Sequence, residues 1–132
     1  MVKKLGVFVV VVLVAAMLNV VCYAQDPDVY LAEYYRDMTS IIEQNMDDPD
    51  KCVKEVENFF QDLDKEEYAR NWVASMNKDL SEESFEESME SEPNKSMMEY
   101  NNVMASFMQK HPEHGGEIIE FSVRFMSELR SE

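Results

Sequence analysis

From Leu31 to Leu129 apolar residues return every third or fourth position, and prolines punctuate the pattern rather than interrupt it. That spacing places them on one face of a helix with 3.6 residues per turn, and a chain built this way must bury a set of helical stripes against one another. Leu31, Tyr34, Tyr35, Met38, Ile41 and Ile42 form the first stripe. Cys52, Val53, Val56, Phe59, Phe60 and Leu63 form the second. A third helix is expected from near Asp64 to about Leu80, through Trp72, Val73 and Met76. A fourth starts near Ser96 with Met97, Tyr100, Met104, Phe107 and Met108 facing inward, and a fifth runs from about Glu117 to Arg130 with Ile118, Phe121, Phe125 and Leu129. Ile119, Phe121, Val123 and Phe125 also alternate as a strand would, but Met126 breaks the alternation. The chain has only three glycines and, beyond residue 24, few β-branched residues, which disfavours a sheet. The expected fold is all-α: a small bundle of four or five helices.

The breaks carry their own signals. Asp28 is a plausible N-cap for the first helix, and Asp48 before Pro49 is a strong start for the second. Pro93 is expected to end the acidic stretch, and His111-Pro112-Glu113-His114-Gly115-Gly116 to break the chain before the last helix. A shift of 66 residues sets Glu33-Tyr34 on Glu99-Tyr100, Met38 on Met104, Ser40 on Ser106, Phe59 on Phe125 and Leu63 on Leu129. Two readings stay open: two similar helical hairpins with a groove between them, or two amphipathic hairpins that match only because both are amphipathic.

Residues 1–24 read as a secretory signal peptide. Lys3 and Lys4 precede an uncharged apolar run from Val7 to Leu18, and Cys22-Tyr23-Ala24 puts small residues three and one before Gln25. Two alternatives are a retained membrane anchor and a lipid-carrying Cys22. The apolar stretch of about 17 residues is short for a span, and Asn19 and Val21 fit a lipid-attachment pattern poorly. Localisation is therefore expected to be export, periplasmic or secreted, leaving residues 25–132 as one acidic helical domain with a Glu/Ser-rich segment at 81–93.

All 27 acidic residues lie beyond Ala24, against ten basic ones, a net charge of −17 there. Such a surface repels nucleic acid and anionic lipid and keeps the domain dispersed. No stable membrane association is expected once the leader is removed. In the acidic segment Glu82/Glu86, Glu83/Glu87 and Glu86/Glu90 are like-charged pairs at i,i+4, each costing about 0.2–0.5 kcal/mol of helix. Cys52 alone remains beyond the leader. It is expected to be buried, with a Cys52-linked dimer as the alternative to a monomer.

His111 and His114, with Glu113 between them, have the residue types of a metal site, but no cysteine or third histidine stands near in sequence. Asp47-Asp48-Pro49-Asp50 lacks the glycine and distal glutamate of a calcium loop. The methionines, including Met97, Met98, Met104 and Met108, fall on helix faces and read as packing. Phosphate-loop, haem-attachment, serine-elbow and zinc-protease motifs are missing. No catalytic, cofactor-binding or metal residue is assigned. The expected function is that of an exported, non-enzymatic helical protein that binds a protein or small ligand. A cation- or metal-responsive acidic protein is one alternative, and a membrane-tethered envelope component the other.

Overall fold

A computed structural model describes residues 26–79 and 85–130, and within them every regular element is a helix. In chain order these are α1 (Pro27–Gln44), α2 (Pro49–Asp62), α3 (Lys65–Asp79), α4 (Phe85–Glu90), α5 (Glu92–Lys110) and α6 (Pro112–Arg130). The signal-peptide segment and residues 80–84 of the acidic stretch lie outside the described residues. The fold is an all-α bundle. The element beyond the five expected is the six-residue α4, cut from the acidic segment. No helix among the described residues is long and apolar enough to cross a membrane.

Aspartates and prolines start these helices. Asp26, two residues before the expected cap, accepts the Asp28 backbone N–H at 2.9 Å, and Pro27 takes the first helical position, where a missing N–H costs nothing. Asp28 instead accepts the Ser75 hydroxyl at 2.7 Å, tying α1 to α3. Asp48 caps α2 as the sequence predicts, accepting from the Lys51 N–H at 3.2 Å, and Asp64 does the same for α3 through Glu67. Two starts come earlier than expected. Pro93 does not close the acidic stretch but sits in the first turn of α5, which begins at Glu92. Likewise α6 begins at Pro112, so the break foreseen over six residues shrinks to His111. Proline suits a first turn as well as it breaks an interior, and only packing decides which applies.

That packing is visible at Gly115. A β-carbon there would stand 2.5 Å from Met108 Cγ and 3.3 Å from Met108 Cα, so the glycine lets α6 fold straight back onto α5. Gly116 faces open space.

The two hairpins, α1–α2 and α5–α6, stand side by side with equivalent helices running the same way. Contacts between them join residues at nearly constant separations: Tyr35 with Tyr100, Met46 with His111, Asp50 with His114, Phe60 with Phe125. These offsets of 64 or 65 lie within a turn of the 66-residue sequence match, so the ends of the copies are level. Carried along α1 and α5, the same offset sets Leu31 level with Ser96, Met38 with Val103 and Ile42 with Phe107, all buried or half-buried. Positions 31, 35, 38 and 42 have the four-three-four spacing of a parallel coiled-coil seam.

The core is one cluster: Ile42, Cys52, Val56, Phe107 and Ile118 are at 0 % exposure, and Met38 at 1 %. An aromatic group ties α1, α2, α3 and α6 together, with Tyr34 5.0 Å from Tyr68 and Tyr68 5.2 Å from Phe125 by ring centroid. The third helix is the loosest. Tyr68 and Ser75 are buried, while Trp72, Val73 and Met76 on the same helix are exposed.

Candidate functional site

Two places bring polar groups together on this frame, and they lie toward opposite ends of the α2–α6 seam. The first is the pair of hairpin turns. Asn45 ends α1 buried, its amide donating to the Ile41 carbonyl at 2.8 Å and to Glu55 Oε2 at 2.6 Å. The chain then crosses Met46, Asp47 and Asp48. Against this turn lies the other: His111 Nε2 donates to the Met46 carbonyl at 2.9 Å, and His114 Nε2 to Asp50 Oδ1 at 3.0 Å. Lys110 reaches Asp47 at 3.3 Å. A carbonyl only accepts, so the proton of the His111 ring sits on Nε2. Both Nε2 atoms are thus spent on joining the hairpins. Among the described residues no three His, Cys, Asp or Glu side chains are grouped to hold a metal ion.

The second place is a groove of about 360 Å³ between α2 and α6. Glu57, Phe60 and Gln61 line it from α2, and Phe121, Arg124, Phe125 and Glu128 from α6. Both sets follow three- and four-residue spacing, so each helix turns one continuous stripe toward the gap. Phe60 and Phe125 form the buried floor, their rings 5.2 Å apart, and Phe121 is half-buried on the wall. Lys65, at the start of α3, closes one end through an ion pair with Glu128. The Arg124 guanidinium lies 5.8 Å from the Phe121 ring centroid and 3.8 Å from Glu120 one turn back. Glu57 has no hydrogen-bond or ion-pair partner among the described residues.

The gap follows from the side chains. Toward the turns, buried Cys52, Val56 and Ile118 close the two helices over a dry core. Further along, three phenylalanines hold them apart, and the polar tips of Glu57, Gln61, Lys65 and Glu128 favour water over filling the space. A smaller cleft of about 130 Å³ lies between α1, α3 and α5, lined by Trp72, Met76 and Met97 among others.

The sequence assigns Phe60, Phe121 and Phe125 to core faces, which they are, and passes over Glu57, Gln61 and Arg124. Their signal was a polar residue one step off each apolar stripe. Every amphipathic helix has such residues, so the pattern alone does not mark a groove. The cysteine beyond residue 24 sits as expected: Cys52 is buried, and burial, with the Glu55 carboxylate nearby, pushes its thiol up to about 11. A bridge from it to a second chain requires α2 to open.

No family model matches the chain, and neither curated proteins nor solved structures provide a match.

Proposed function

We propose that this chain is an exported, non-enzymatic binding protein, monomeric, that takes its ligand in the groove between α2 and α6. The observation that carries the reading is the groove itself. It is open to solvent, floored by Phe60 and Phe125, and rimmed by a small number of polar groups from two rigid helices. Ligand sites have this composition: apolar lining for affinity, a few polar groups for orientation. The leader pattern of residues 1–24 supports export, and the motif-poor sequence supports binding rather than chemistry.

The test is an amide NMR titration with a mixed set of small amines, acids and neutral aromatics. Ligand-induced shifts are expected over residues 57–65 and 121–128, and Gln61→Trp, which fills the gap from its edge without removing a core side chain, abolishes them. Shifts confined to other surfaces, or none from any compound, overturn the reading. Export is tested separately: secreted protein is expected to begin at Gln25 by mass.

A further inference from the structure

Resting on the groove reading, we propose that the ligand is a small organic cation, an ammonium or guanidinium group carried on an apolar stem. Above the buried floor of Phe60 and Phe125, the half-buried Phe121 ring offers a π face of negative potential, the surface that attracts a cation within about 6 Å of a ring centroid. One cation already uses this surface. Arg124, the protein's own guanidinium, stands 5.8 Å from the Phe121 centroid.

The charges around the rings point the same way. Lys65 is paired with Glu128, and Arg124 with Glu120. Glu57 is left with no partner among the described residues, so the groove has one uncompensated carboxylate beside its aromatic floor. A cation completes that arrangement. A neutral apolar ligand desolvates Glu57 and returns nothing for it. An anion has only Arg124 to meet, already engaged by Phe121 and Glu120, and faces Glu57 and Glu128 besides. Beyond the groove, 27 acidic residues against 12 basic ones draw cations toward the molecule and repel anions. The stem lies over Phe60 and Phe125, and the charged head meets Glu57. The same chemistry comes from two sources: a free amine, or a lysine or arginine side chain presented by a basic peptide.

The experiment is calorimetric titration of residues 25–132 with three probes of one shape, 4-phenylbutylamine, 4-phenylbutanoate and 4-phenylbutanol, with NMR locating each. The amine is expected to bind most tightly, with shifts at Phe121 and Phe125. Glu57→Gln weakens it about two- to fivefold, the scale of one exposed charge pair, and Phe121→Ala by a similar factor. Arg124→Gln, which removes the competing cation from the Phe121 face, tightens it about twofold. The last result is diagnostic, because an anion site loses affinity from that substitution. If the butanoate or butanol binds the groove as well as the amine, the cation proposal fails and groove binding stands. If none of the three perturbs the groove while the protein remains folded, both fail. A blocked Ala-Lys-Ala peptide run in parallel assigns the source: tighter than the amine, a partner's side chain; weaker, a free metabolite.

Discussion

The α1–α5 seam and the α2–α6 seam are built from equivalent helices of the two hairpins, yet the first is closed apart from a cleft of about 130 Å³ at its Leu31–Tyr35 end and the second opens into a groove of about 360 Å³. In the first, buried Ser96 leaves room for Leu31 level with it, and Met38, Ile42 and Phe107 fill what remains. In the second, Phe60, Phe121 and Phe125 hold the helices apart, and charged residues border the gap. The distance between packed helices follows the side chains at the contact. One seam therefore supplies stability, while the other leaves room for a ligand. The same topology yields both, through the volume of a few residues.

Alkali is the strongest way to break the core that both seams share. Tyr34, Tyr35, Tyr68 and Tyr100 sit on or beside α1, and burial, reinforced by neighbouring tyrosines at Tyr34, Tyr68 and Tyr100, raises each phenol above its ordinary value of 10.0. The unfolded chain loses these protons first, so their contribution is complete below pH 10 and lost as pH rises toward the folded values. Cys52 adds to the loss between 9.0 and about 11. Helicity and tyrosinate absorbance are expected to change together in one transition above pH 10. Tyrosines that titrate at pH 10 in a chain still fully helical contradict this account of the core.

Truncation separates the two seams more finely. Phe107→Ala, at a side chain with 0 % exposure, is expected to cost about 3–5 kcal/mol by urea denaturation. Phe121→Ala, on the half-buried groove wall, is expected to cost about 1 kcal/mol or less. Equal losses erase the distinction between the seams. The glycine pair gives the smallest contrast. Gly115→Ala drives a methyl into Met108 and costs about 1–3 kcal/mol, whereas Gly116→Ala meets nothing and gains about 0.5–1 kcal/mol of helix propensity. A thermal melt that moves in the same direction for both sinks the claim that α6 presses on α5 at that point.

The helices were legible from spacing because apolar period is a local property. Asp48-Pro49 was legible for the same reason, since cap and proline are neighbours in sequence. In sequence Pro93, Pro112 and Gly115 carry the signature of breaks, although each sits inside a helix. Their tolerance depends on a first-turn position or on Met108 lying across the way, which is tertiary information. The histidines show the limit most clearly. Their partners, Met46 and Asp50, are 65 and 64 residues distant, and nothing adjacent to His111 announces them. The groove was foreseen only as a space between hairpins. Which pair of helices opens depends on how wide Phe60, Phe121 and Phe125 hold them, a difference between two faces that each look like ordinary core.

Level, parallel hairpins also dictate an order of assembly. Each hairpin closes through short-range contacts, such as Asn45 with Glu55 or Met108 against Gly115, and such local steps are fast. The contacts that join the copies span more than 50 residues, so loop closure comes before any of the joining contacts is gained. Folding is thus expected to show early helix in both halves and a later, single docking event. Substitutions along α1 and α5, more than those around the groove, set its rate.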